Sequence, residues 1–146
     1  MLTGNLKKAI ADTLFYGLNS DYDNPTYLCY KDPVEQGLET PGFFIEVLTT
    51  NINKLIGNRA HERTVFTVTY YPQDTEEYLS EFDELTSKLY PLLQIVKDRD
   101  TEDCYYTQGL EITPTTGQLN IQFAIEYDVL CGNTGDVMER MEYERR

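Results

Sequence analysis

The chain has 146 residues, with 12 Lys and Arg against 25 Asp and Glu, for a formal net charge of −13. That excess of acid speaks against a protein that grips phosphate backbones, which needs basic side chains to displace counterions, and against docking on anionic membrane, which needs a basic patch. The length suits one domain, no apolar run nears the roughly 20 residues that span a bilayer, and Met1–Ile10 lacks the apolar stretch of a secretory signal.

Leu2, Leu6, Ile10, Leu14 and Leu18 recur every four residues, with Ala9 and Phe15 widening the stripe, so the first segment is predicted as an amphipathic helix. Gly17 and Asn19-Ser20-Asp21 are its expected stop. Tyr27-Leu28-Cys29-Tyr30, after the turn signal Asn24-Pro25, reads as a short strand. In Phe43–Leu48, introduced by Pro41-Gly42, Phe43, Ile45 and Val47 share one face of a second strand. Thr64–Tyr71 is a third, alternating Phe66, Val68 and Tyr70 against Val65, Thr67, Thr69 and Tyr71 until Pro72 stops it. Between the last two lies Thr49–Arg63, polar and centred on Gly57-Asn58. It is too long for a compact hairpin loop and is expected to be a projecting arm or loop.

A second helix is expected with Asp74 as its cap and Glu77 at the third helical position. Leu79, Phe82, Leu85, Leu89, Leu92, Leu93 and Val96 keep its spacing, and Pro91 should break or kink it near Tyr90. A hairpin follows, pairing Cys104–Thr113 with Gln118–Leu130 across Pro114-Thr115-Thr116-Gly117. Its second strand points Leu119, Ile121, Phe123, Ile125, Tyr127 and Val129 inward, and Asn120, Gln122, Ala124, Glu126 and Asp128 outward. Asp136–Arg146 is charged and has too few apolar residues to pack alone, so a partner is expected to order it. The order α-β-β-β-α-β-β makes an α+β fold, a mostly antiparallel β-sheet with two helices packed on one face. It is expected as a single domain over 1–131 with a charged C-terminal tail over 132–146.

A catalytic centre is hard to assemble from this chain. His61 is the only histidine and lies among Arg59, Glu62 and Arg63, which suits a surface or interface position. Cys29, Cys104 and Cys131 are an odd number without a C-x-x-C pair, and read as reduced, buried small hydrophobes. Asp98–Asp103 opens like a calcium loop but has Asp103 where the turn needs Gly and Gly109 where a bidentate Glu is needed. Asp21-Tyr22-Asp23 fails in the same way, so both read as solvated turns. Asp74, Glu76 and Glu77 suit a helix N-terminus electrostatically. No phosphate-binding loop, nucleophile elbow or dinucleotide fingerprint is present. No catalytic, cofactor or metal residue is therefore assigned, and no enzyme activity is expected. The tyrosines say more. Tyr70-Tyr71 and Tyr105-Tyr106 should each send one ring away from the core, since strand neighbours face opposite ways, and exposed tyrosines suit protein contacts.

Glu35-Gln36-Gly37-Leu38-Glu39-Thr40-Pro41-Gly42-Phe43-Phe44-Ile45, then Gly57-Asn58-Arg59 and a strand ending Tyr70-Tyr71-Pro72, form a pattern. It resembles the small tail terminator proteins of tailed phages and of phage-derived tail-like particles, including headless bacteriocin-like ones, in Gram-positive bacteria. The match is close over Val34–Pro72, and the order of elements agrees over nearly the whole chain. Where that family often has aromatic residues after Gly-Asn-Arg, this chain has Ala60-His61.

The resemblance implies a structural protein, assembled in the bacterial cytoplasm and carried in the virion or tail-like particle at the tail end near the neck or collar. It would form a homo-oligomeric ring, hexameric in this family, that caps the tail tube, stops its growth and presents a surface to neck, collar or sheath proteins. Asn58, Arg59, His61 and Tyr71 are the candidate contacts to a neighbouring subunit or to the tube protein. A head-completion or neck adaptor of the same particle is the alternative, and a small enzyme or a host-encoded binding module lies further off. Sequence-specific nucleic-acid binding, membrane contact and cofactors are not expected.

Overall fold

The computed structural model describes residues 2–32, 41–73, 76–130 and 142–143. In chain order the elements are α1 (Leu2–Leu18), β1 (Leu28–Tyr30), β2 (Gly42–Lys54), β3 (Arg59–Tyr71), α2 (Leu79–Leu92), β4 (Ile95–Lys97), β5 (Cys104–Thr115), β6 (Gln118–Leu130) and β7 (Glu142–Tyr143). The fold is α+β in the expected order, with two short strands added. The strands lie side by side as β1-β2-β3-β6-β5-β4, and β7 pairs with β6. β1 runs parallel to β2, and every other pairing is antiparallel.

Both helices bury the stripes that their spacing defines. Leu6, Ile10 and Leu14 of α1 and Phe82, Leu85 and Leu89 of α2 join Phe43, Val68, Phe66, Ile121, Phe123 and Ile125 of the sheet in one core. Register makes this possible: Val68 sits opposite Ile121, Phe66 opposite Phe123 and Phe43 opposite Tyr70, so each large side chain has a cross-strand neighbour on the helix side. α1 ends on Asn19, whose buried amide donates to the carbonyls of Phe15 and Tyr27 while its oxygen accepts the Tyr27 N–H at 2.8 Å. One side chain thus closes the helix and pins the start of the next strand.

Several expectations change. α2 begins at Leu79 after an uncapped Tyr78, so Glu77 is not at a third helical position, and Asp74 lies outside the described residues. The helix ends one residue past Pro91, whose missing N–H removes a bond from the last turn. Val96 leaves the helical pattern for β4, where it is buried opposite Tyr105, and Leu79 is exposed. The connection Thr49–Arg63 is not a loop: β2 and β3 both continue through it, and only Leu55–Asn58 turns, with Gly57 at φ +77° and Leu55 N–H donating to Arg59 O. Its Thr and Ile residues favour strand, but their polar neighbours hide the alternation.

Ala124, expected on the wet face, is buried beside Val65, its register partner. Cys104 is exposed at the start of β5, not buried; Cys29 is largely covered on β1, and Cys131 lies outside the described residues. The hairpin turn between β5 and β6 shortens to Thr116-Gly117, with Gly117 at φ +76°. The Asp136–Arg146 segment is described only at Glu142–Tyr143, where it forms β7 beside Val129 and Leu130. All of Val34–Thr40 and the junction of 131 with 132 also fall outside the described residues.

Candidate assembly surface

The strongest polar constellation involving the single histidine is a product of strand register. β3 and β6 pair His61 with Asp128 and Arg63 with Glu126, on the face opposite the helices. His61 Nδ1 lies 2.7 Å from Asp128 Oδ1 and its Nε2 3.7 Å from Glu126 Oε1, while Arg63 Nε is 3.6 Å from the same Glu126 oxygen. The Asp128 hydrogen bond, helped by the charge of Asp128 and Glu126 and only partly offset by desolvation, raises the histidine's pKa above its ordinary value. Two carboxylates beside the ring favour its charged form, in which His61 ties β3 to β6. Cys29 sits on β1, away from this group, with its thiol pushed up to about 12 by burial, chiefly, and by Asp12.

The Asp98–Asp103 turn has a structural purpose that its spacing concealed. Lys8 of α1 places Nζ 2.9 Å from carboxylate oxygens of Asp12, Asp98 and Asp100. Asp98 Oδ1 also accepts the N–H groups of Asp100 and Thr101, and Asp12 accepts that of Arg99. Burial would raise the Asp98 pKa, but the Lys8 ammonium and those N–H groups outweigh it and hold the carboxyl below its usual range. The Arg99 guanidinium lies 4.0 Å over the Tyr16 ring. The acidic turn is therefore fastened to α1 by a lysine in the place that a cation would take. Among the described residues no group of three or more His, Cys, Asp or Glu is arranged to hold a metal ion.

What remains is a surface. From Leu48 to His61 the chain has no Asp or Glu, although it carries 25 elsewhere, and it does have Lys54 and Arg59. Along the same stretch Leu48 is 60% exposed, Ile52 59% and Ile56, at the turn, 95%. β1 covers only Gly42–Phe44 of β2, so the rest of that strand has a free outer edge among the described residues. The hairpin end is thus basic, apolar and edge-exposed on an acidic protein, features that interaction surfaces share. Sequence reasoning read this segment as a polar projecting arm or loop; Ile52 and the turn pair Leu55-Ile56 were the available signal for its apolar content.

The four candidate contact residues do not form one cluster. Asn58 is exposed in the hairpin turn, Arg59 opens β3, and half-exposed His61 follows two residues on. Tyr71 closes the same strand at its opposite end, about 40 Å away at 3.3 Å per residue. The tyrosine pairs divide as their alternation requires: Tyr70 and Tyr105 are buried, whereas Tyr106 is exposed and Tyr71 half-exposed.

In a comparison with protein families, residues 5–137 match the family described as "Phage tail terminator protein". No curated protein matches the chain.

Proposed function

Since the chain belongs to the phage tail terminator family, and so to the structural components of a virion tail that associate with other tail proteins, we propose that it closes the growing tail tube with a homo-oligomeric ring. The ring, six-fold to match a six-fold tube, stops polymerisation below and offers neck, collar or sheath proteins a new surface above. Arg59, Asn58 and His61 contribute to contacts between subunits or with the tube, and Tyr71 to a separate contact at the far end of β3. In this reading residues 1–131 are the ring-forming domain, and 132–146 the segment that a tail partner orders.

The observation that carries the proposal is the hairpin end. Ile56 is almost wholly in solvent at the tip of a strand pair, with Leu48, Ile52 and Leu55 exposed behind it. An apolar group of this kind on a protein with a fully formed core is explained by a partner. A heterologous contact whose rotation closes makes a ring, which can then seat on a tube of the same symmetry.

Negative-stain imaging of the purified chain mixed with tube protein tests this. A six-fold annulus seated on tube ends is expected. Unchanged, open tube ends would contradict it.

A further inference from the structure

The hairpin end has a complement on the same molecule, placed where it is out of reach. Along the outward side of α2, Leu79, Asp83 and Tyr90 fall at helical spacing, and all three are exposed, with Glu84 beside them. This face is apolar at both ends with Asp83 between them, Glu84 being paired with exposed Lys88 at 3.3 Å, and exposed Glu76 and Glu77 add negative charge before the helix. The hairpin end reverses the sign: Leu48, Ile52 and Ile56 around Lys54, with Arg59 at the base.

The two surfaces lie at opposite ends of one strand. α2 packs Phe82 against Tyr70, near the end of β3, at a ring separation of 6.2 Å, while the hairpin turn precedes Arg59 at its start. The intervening strand keeps them about 35 Å apart at 3.3 Å per residue, so they do not meet within one chain. Two different, complementary patches on one molecule define a head-to-tail contact between copies.

Resting on the ring reading above, we infer that the hairpin end of each copy docks on the α2 face of the next. Lys54 lies against Asp83, and Ile52 and Ile56 lie against Leu79 and Tyr90. The occupant of the hairpin surface is thus a second copy of this chain, and tube protein docking there is the competing outcome.

Sedimentation velocity of the full chain over a concentration series tests this without tails, so the capping reading can fail while this result stands, and the reverse. The substituted side chains are exposed, and unchanged thermal melting establishes that each variant folds. The wild-type chain is expected to self-associate, and Lys54→Glu and Asp83→Lys are each expected to weaken association about tenfold, as a new like-charge pair does. The variant carrying both changes is expected to regain wild-type association. A mixture of the two single variants is expected to regain association as well, because copies of the two kinds alternate through one wild-type contact and one charge-exchanged contact of the sort that restores the double variant. A wild-type chain that stays monomeric, or single variants that associate normally, would overturn the inference. So would a double variant as weak as the singles, and a Lys54→Glu variant that associates normally is the result expected if the hairpin docks on tube protein.

Discussion

Lys8 illustrates how much a single residue can settle. Its ammonium joins three carboxylates from α1 and the β4–β5 turn, and the most buried of them is Asp98. Replacing Lys8 with Met keeps the aliphatic stem but leaves Asp98 dependent on backbone N–H groups. The expected loss is about 2 kcal/mol in denaturant unfolding at neutral pH, the scale of a hydrogen bond to a charged group. Because the folded Asp98 pKa lies below its ordinary 3.8, its contribution is present above that value and lost as pH falls through the folded one. Lys8→Met raises the folded value, so acid unfolding of the variant is expected to begin at higher pH. His61 has the opposite sign. Its pKa is raised from 6.5, so its contribution is complete below that value and is lost as pH rises through the folded pKa. Asp128→Asn is expected to bring the His61 titration, followed by NMR, back toward 6.5. It should also destabilise the chain more at about pH 6 than at about pH 9.

At the scale of elements, the core is the part that the sequence announces most clearly. Helix stripes and the β6 alternation identify Leu6, Ile10, Phe82, Leu89, Ile121 and Phe123 correctly, because burial of one face imposes its period on the residues. Phe123 is 1% exposed between the helices and Phe66, so Phe123→Ala is expected to cost about 3–5 kcal/mol, read as a lowered midpoint of denaturation. Periodicity fails where neither face is buried within the chain. In Thr49–Lys54 almost every side chain is exposed, so no alternation marks the strand, and a continuous hairpin reads as a loop. Ala124 fails for another reason: a small side chain on the wet face is covered by its larger neighbours. The ionic groups were harder still to see. Lys8 and Asp98 are 90 positions apart, and only the fold brings them together. Arg59, at the root of the hairpin, is the element's own test: Arg59→Ala is expected to cost no more than about 1 kcal/mol of stability, the upper scale of an exposed ion pair, but to reduce recovery of intact rings from particles. Normal rings would remove the hairpin base from the contact.

For the whole molecule, shape and charge agree on a component that works by fitting others. A growing tube end is a self-templating surface that offers each new ring the contacts of the last. Ending growth takes a subunit that fits this end and presents something different above. A small acidic α+β domain with one basic, apolar projection has the two unlike surfaces that such a role needs. A neck adaptor would act after tube length is fixed, and an enzyme would leave tail architecture alone. The distribution of tail lengths by electron microscopy, in particles made with this gene deleted, therefore tests the central claim most directly. Over-length tails, or tails lacking neck or collar at their upper end, are the expected result. Unaltered lengths with intact collars would contradict it, and tails of normal length that fail to join a head would point to the adaptor instead.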